Sequence, residues 1–442
     1  MLNFFFLQKL PFKRTNVRAI IYLVITMKYY LCIDLKSFYA SVECSERNLD
    51  PFKTNLVVAD KTRGKGTICL AITPKMKSLG IKNRCRIYEI PKNVKYIIAK
   101  PRMRKYMEYS YRIYEIYLKY VSKDDIHVYS IDEAFLDITP YIKLYKKNPK
   151  EIAIMIMNDI FKTTRITATC GIGTNMYLSK IALDIISKHV KSNIGFLNEK
   201  LYKEKLWHHT PLSDFWQIGV GIENRLHKMH IKDMYDISVA NENKLYKEFG
   251  INAKLLIDHS LGIENCTIKD IKNYKPKSSS ISNSQILFKD YNYKDAKVIL
   301  VEMIDNLVLR LVSKNLYTNV VGFSIGYSKN IIDKTKFSKK LDNPTNSFIK
   351  IKNILLEEYD LLINEKTFIR KISIWFSGLT NKKIEQLNMF DNNNYNDEDK
   401  LERALNNLKL RYGKNVILRG ISYTESGTQL LRNKLIGGHN AE

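Results

Sequence analysis

The chain has 442 residues, 45% hydrophobic and 26% charged, enough for about three or four domains with cores of their own. Lys and Arg number 72 against 45 Asp and Glu, a net charge of +27, which argues against an enzyme of small neutral substrates and for a polyanionic partner. No basic amphipathic helix or lipidation signal directs that charge to a membrane, so nucleic acid is the expected partner.

Residues 1–27 come first: 2–7 are apolar, 9–18 basic and 19–25 apolar again. Neither apolar run is long enough to span a bilayer, and an apolar run ahead of the charges reverses the order of a signal peptide. The segment reads as an N-terminal extension, with Met27 an alternative start. The six cysteines, Cys32, Cys44, Cys69, Cys85, Cys170 and Cys266, are scattered with no C-x-x-C pair, as reduced, mostly buried thiols of a cytoplasmic protein would be.

Residues 29–34 form a short buried-strand run ending on Asp34, and 35–43 a turn leading into a helix. A Gly64-Lys65-Gly66 turn precedes an apolar strand over 67–72. A helix with Pro74 in its first turn and Gly80 at its C-terminal cap follows. Residues 101–121 show helical spacing of Tyr and Ile.

The next run, Tyr129-Ser130-Ile131-Asp132-Glu133-Ala134-Phe135-Leu136-Asp137, is apolar and β-prone apart from its acids. Strand residues alternate faces, so Asp132 and Glu133 serve one site only at a bend or strand end. A hairpin tip with two solvated acids is the plain reading. A divalent-cation site is the other, because Mg²⁺ takes carboxylates together with substrate phosphates. That site calls for a third carboxylate, and Asp34 is the candidate, against the alternative of a helix-capping acid.

A helix over 152–161 and a strand over 166–172 lead to Cys170-Gly171-Ile172-Gly173-Thr174-Asn175 and another helix through Leu178 and Ile181. This order fits a ferredoxin-like α+β layer with segregated helices. Residues 210–264 hold Phe215-Trp216-Gln217-Ile218-Gly219-Val220-Gly221, then Leu226 and Ile231-Lys232-Asp233-Met234. Such a pattern has the shape of a helix-hairpin-helix, whose glycines let backbone N–H groups reach a phosphate; an ordinary helical turn with two glycines is the alternative. Residues 273–283 are polar, basic and Ser-rich, hence a linker. Strands are expected over 284–288, 320–327 and 369–376, with helices over 293–314 and 346–363. Gln386-Leu387-Asn388-Met389-Phe390 stands on a polar tail whose next pattern is Leu401, Leu405 and Leu408.

Ile33-Asp34-Leu35-Lys36-Ser37-Phe38-Tyr39-Ala40-Ser41-Val42-Glu43, taken with Tyr129 to Phe135, resembles the Y-family of translesion DNA polymerases, nearest the bacterial polymerase V (UmuC-type) branch and its Gram-positive members. The resemblance covers residues 28–390 in order, with the tail matching one branch. It implies a multidomain α+β right-hand polymerase. A ferredoxin-like palm would occupy 28–37 and 104–195, with small fingers over 38–103 and a helix-hairpin-helix thumb over 196–272. The linker, an αβ little finger over 284–378 and a tail over 379–442 would follow.

By the same resemblance Asp34, Asp132, Glu133 and the Leu35 carbonyl hold two Mg²⁺ ions, the three acids being catalytic. Phe38 lies under the incoming sugar and base, and Tyr39 is the steric gate against a ribose 2′-OH. Lys77, with Lys188 or Lys191, contacts the triphosphate. Gly219, Val220 and Gly221 hold the DNA backbone. Gln386, Leu387, Met389 and Phe390 dock on the sliding clamp. Two departures stand out: Lys36, where an acid or Asn is more usual, and Pro74, where several relatives have a triphosphate-binding Tyr.

The implied function is low-fidelity, template-directed transfer of a nucleotide from dNTP to a primer 3′-OH past damaged bases. Its partners are primer-template DNA, dNTP and the sliding clamp, with accessory damage-response subunits left open and no membrane. A non-catalytic DNA-binding repair accessory is the alternative from another class, and a nucleotidyl cyclase a second enzyme alternative. Three carboxylates that repel phosphate would serve no mere binder.

Overall fold

The computed structural model describes residues 27–64, 66–276, 278–328, 334–381 and 395–442, with side chains of the last stretch from residue 400 onward. The chain divides into two compact units, one of residues 1–59, 68–99 and 105–274, the other of 60–67, 100–104 and 275–442.

The first unit opens with β1 (Tyr30–Leu35) and α1 (Phe38–Ser45), followed by β2 (Leu56–Val58), β3 (Ala71–Ile72), α2 (Pro74–Ser78) and β4 (Ile97–Ala99). Next come α3 (Met103–Tyr120), β5 (Ile126–Val128), β6 (Glu133–Asp137), α4 (Thr139–Tyr145), α5 (Pro149–Thr164), β7 (Ala168–Gly173), α6 (Met176–Ile181) and β8 (Ile194–Leu197). Its main sheet has the order β5-β6-β1-β7-β8, antiparallel except between β7 and β8. The middle strand β1 is apolar except for Asp34 because both faces are covered. Tyr30 and Cys32 on one face pack with Phe135, Met176 and Leu183; Asp34, two residues on, shares that face by strand alternation.

Gly171 and Gly173 let α6 lie against β7, since a Cβ on either would come within 2.0 or 2.1 Å of Ser179 backbone atoms. These glycines serve helix–sheet contact. Beyond α6 the helix widens into a π-helical turn over Ala182–Ile186 and tightens into a 3₁₀ turn over Ser187–His189. A second sheet, β3-β2-β4, encloses a small core with Val57, Ile72 and Met76. Pro74 stands in the first turn of α2, and Gly80 follows its end at φ +79°.

The unit ends in a helical layer: α7 (Glu199–Leu206), α8 (Val220–Lys228), α9 (Met234–Val239), α10 (Glu242–Phe249), α11 (Asn252–Ser260) and α12 (Ile268–Asn273). Asn198, Asp233, Asn241 and Thr267 cap four of these helices through their side chains. Phe215, Leu226, Ile237 and Leu245 fill the core that joins the layer to Tyr177 and Leu178 of α6.

In the second unit β9 (Ser280–Tyr291), α13 (Tyr293–Ser313), β10 (Thr318–Tyr327), β11 (Lys334–Thr345), α14 (Phe348–Leu362) and β12 (Ile369–Ser377) build an antiparallel sheet of order β11-β10-β12-β9 backed by both helices. Two expectations are corrected here. Strand β9 begins at Ser280, inside the expected linker, because Ser280 to Ser284 pair residue by residue with β12 and its polar side chains face outward. Strand β11 was not expected at all. Its run of lysines and Pro344 fits an edge strand, where charge and a missing N–H are tolerated.

The tail is also more than a polar extension. Helix α15 (Tyr395–Tyr412) brings Lys409 within 3.1 Å of the buried Asp305 on α13, and Arg419 binds both Asp305 (2.5 Å) and Glu402 (2.6 Å). The N–H groups of Thr428 and Gln429, at the start of α16 (Gln429–Arg432), donate to Glu302 at 3.0 Å. Buried acids on α13 are thereby satisfied by the tail, and removing either side would leave charge unpaired. The N-terminal extension and the clamp peptide lie outside the described residues. No helix among the described residues is long and apolar enough to cross a membrane.

Candidate active site

The ends of β1 and β6 bring the predicted acids near one another. Asp34, next to last in β1, lies opposite Glu133 of β6 and Thr169 of β7. Asp132 precedes β6 in a bend, where its carbonyl accepts from Leu35 N–H at 3.0 Å and its carboxylate from Ser130 Oγ at 2.6 Å. The break in alternation therefore falls at Asp132, whereas Glu133 faces Asp34 by regular register. Behind this end a shallow cleft runs between α3 and the β5–β6 turn, lined by Leu35, Tyr114, Tyr117, Ile131 and Asp132.

The acids do not stand bare. Lys180 Nζ lies 2.6 Å from Glu133 and 3.0 Å from Asp184. Lys188 Nζ lies 2.7 Å from Asp184 and 3.8 Å from Asp34. The Cys32 thiol, held neutral by burial and by the Glu133 charge, donates to Glu133 at 3.1 Å. Burial pushes the Asp34 carboxyl up to about 7; Lys188 pulls it down, and Asp132 and Glu133 push it further up. For Lys180 burial works against the charge, and the adjacent Asp184 and Glu133 carboxylates overcome it, so its ammonium is held above the ordinary value. Lys188 is raised in the same way by Asp34 and Asp184.

A cationic group adjoins the acids. Lys36 directly follows β1, its N–H bound to the Thr167 carbonyl (2.9 Å) and its Nζ donated to Asn193 Oδ1 at 2.5 Å. Loss of solvation lowers the Lys36 ammonium, with Asp34 pulling the other way. Lys77 at the end of α2 is lowered by loss of solvation, raised by Asp34, and lowered again by Lys188 and Lys36. Lys36, Lys77 and Lys188 thus all feel the Asp34 charge, whereas Lys191 is exposed in the turn beyond.

Ser37 stands at left-handed φ 50° as the N-cap of α1, its hydroxyl buried without a hydrogen-bond partner. The first helical bond runs from Ser41 N to Ser37 O, so the N–H groups of residues 38–40 have no partner within the helix. Phe38 is buried and Tyr39 half-buried, with ring centroids 5.7 Å apart.

In the helical layer Gly219 is the N-cap of α8, and a Cβ at Gly219 or Gly221 would meet nothing within 4 Å. Val220 between them is 65% exposed. The first N–H donors of this helix are open to an anion.

The donor set of Asp34, Asp132, Glu133 and the Leu35 carbonyl is all hard oxygen, as Mg²⁺ requires, and crowding of like charge raises Asp34. Among the described residues, however, no three His, Cys, Asp or Glu side chains are gathered closely enough to form a ready cage. Glu133 is turned to Lys180 instead. The chemistry of the set fits a divalent cation, and the ammonium groups of Lys180 and Lys188 neutralise it here. Sequence reasoning missed Asp184, the Glu133 contact of Lys180, and the part of Lys36. The four-residue steps 180, 184 and 188 were a visible signal for the first two.

The chain matches the impB/mucB/samB family over residues 33–184 and the C-terminal domain of that family over residues 278–389. UvrX of Bacillus subtilis (strain 168) is 33% identical over 417 residues, 94% of this chain and 98% of the relative. The DNA polymerase IV 2 of the same organism is 30% identical over 429 residues, 93% of this chain and 98% of the relative. DNA polymerase IV of Clostridium acetobutylicum is 27% identical, covering 88% and 96%. Among solved structures, a Y-family DNA polymerase chimera, Dbh-Dpo4(243-245)-Dbh, shares the fold with a TM-score of 0.60 at 21% identity, over 80% of this chain and 100% of that one. With a family match at both ends and full-length relatives at this identity, the chain belongs to the impB/mucB/samB family.

Proposed function

We propose that the chain is a DNA-directed DNA polymerase that adds dNTP units to a primer 3′-OH on a template, with low fidelity and past damaged bases. The observation that carries this reading is the meeting, at the ends of β1 and β6, of Asp34, Asp132 and Glu133 with the lysine group of Lys36, Lys77 and Lys188. One half suits cations and the other polyphosphate.

Two Mg²⁺ ions held by Asp34, Asp132, Glu133 and the Leu35 carbonyl would supply charge neutralisation for the transferring phosphoryl group. The lysines and the open N–H groups of α1 orient the triphosphate. Phe38 supports the sugar and base, and the Tyr39 ring occupies the space a 2′-OH would need. The α8 turn at Gly219, Val220 and Gly221 grips the duplex by a phosphate, without reading sequence. Residues 386–390 tether the enzyme to a sliding clamp.

Primer extension with Mg²⁺ and all four dNTPs tests the reading; no incorporation by the full chain refutes it. A non-catalytic DNA-binding accessory is the second reading, favoured by the Glu133–Lys180 pair at 2.6 Å, and DNA binding without incorporation would establish it.

A further inference from the structure

Behind the proposed gate lies a second tyrosine. The Tyr106 ring of α3 is fully buried and stacks on Tyr39, with centroids 4.4 Å apart and planes 17° from parallel. Its hydroxyl donates to Glu43 Oε1 at 2.9 Å. Glu43 lies one helical turn after Tyr39 on α1, itself fully buried, and Arg47 binds both its carboxylate and its carbonyl oxygen. A carboxylate buried at this depth is costly unless it is bound, and a phenol donating to a charged acceptor makes one of the stronger hydrogen bonds available.

We infer that Tyr106, anchored by Glu43, is a positioning residue that sets how strictly the site selects deoxyribose over ribose. The inference rests on Tyr39 being the gate. A gate works by refusing to move, and a tyrosine ring open on one face can turn about χ1 or χ2 to make room for one oxygen. Here a parallel ring backs the far face of Tyr39. That ring cannot slide, because its hydroxyl is bound to the helix that carries Tyr39. The Tyr109 hydroxyl donates to Glu46 at 2.7 Å and ties α3 to α1 a second time, so the two rings keep their relation as a unit.

The test compares incorporation efficiency of ribo- and deoxyribonucleotides by the full chain and its variants. Tyr106→Leu removes the stack, and the ratio of ribo- to deoxyribonucleotide use should rise roughly 3- to 10-fold, the range one aromatic pair sustains. Tyr106→Phe keeps the ring and frees it from Glu43, giving a smaller rise in the same direction. In a Tyr39→Ala background Tyr106→Leu should add nothing, because no gate remains to be positioned. An unchanged ratio in folded Tyr106→Leu overturns the proposal, as does an additive effect in the Tyr39→Ala background. If Tyr106→Leu does not fold, Tyr106→Phe decides: a wild-type ratio sinks the idea. A chain that incorporates no nucleotide at all sinks the polymerase reading, and this inference with it; an active chain with an indifferent Tyr106 sinks only the inference.

Discussion

Replacing Asp34 by Asn should stabilise the metal-free protein, and the gain should depend on pH. The folded structure raises this carboxyl from 3.8 to about 7, so the native state holds the proton more tightly than the unfolded chain does. A raised carboxyl costs nothing below the unfolded value, and its cost grows as pH rises through the interval between the two values. About three units correspond to ~4 kcal/mol in full above neutrality. Asp34→Asn in the presence of a chelator should therefore be more stable than wild type by up to ~4 kcal/mol at pH 8, the difference shrinking towards zero near pH 4. Trp207 and Trp216 report on the first unit once Trp375 of the second is replaced by Phe in both proteins, so denaturant titrations followed by fluorescence isolate that unit. Titrating groups remote from Asp34 cancel in the difference. A gain independent of pH, or one that grows as pH falls, would refute the reasoning. Added Mg²⁺ should then stabilise wild type and not the variant, because an ion that needs the ionised carboxylate is linked to its deprotonation.

Lys36→Ala should raise the KM for dNTP about tenfold, the scale of one hydrogen bond to a charged group, and leave DNA affinity unchanged; steady-state kinetics with a filter-binding control would show it. Gly221→Val places a side chain where the folded protein has open space, so it should weaken duplex binding several-fold for all sequences with little effect on the melting temperature. Fluorescence anisotropy against salt checks this, and unaltered affinity would remove the turn from the DNA interface. Leu387→Ala with Phe390→Ala should erase stimulation of primer extension by a sliding clamp, and equal stimulation would make that peptide an ordinary segment.

Much of the fold was legible because its strands and helices are strongly patterned. The helix over Met103–Tyr120 followed from its Tyr and Ile spacing, and the long helices of the second unit from their apolar faces. Where burial is one-sided or absent the pattern fails. Strand β11 reads Lys-Thr-Lys-Phe-Ser-Lys-Lys, with buried positions only at Leu341 and Thr345, and nothing in composition separates it from a solvated loop. The tail failed for another reason. Glu402 and Lys409 look like surface charges in a polar helix, yet they are buried against Arg419 and Asp305, while Thr428 and Gln429 cover Glu302; Glu302 and Asp305 lie far away on α13. Those two acids could have raised the question, since buried charge on a helix otherwise rich in Ile, Leu and Val needs a partner from elsewhere.

The candidate site was legible to the same degree and for the same physics. Asp34 stood out because an acid closing an apolar run cannot be paid for by that strand alone, and Asp132 and Glu133 because alternation forbids both from facing one way. What neutralises them was hidden. Lys180, Asp184 and Lys188 stand at four-residue steps that, in an ordinary surface helix, would form a weak solvated ladder. The close contact of glycine-bearing β7 with α6 brings the ladder over the strand ends, and the π and 3₁₀ turns carry Lys188 to 3.8 Å from Asp34. Of the same three charges, moved from water to that partly buried place, the two ammonium groups become the counterweight of the acids. Their spacing was in the sequence; their surroundings were not, and in electrostatics surroundings set the magnitude.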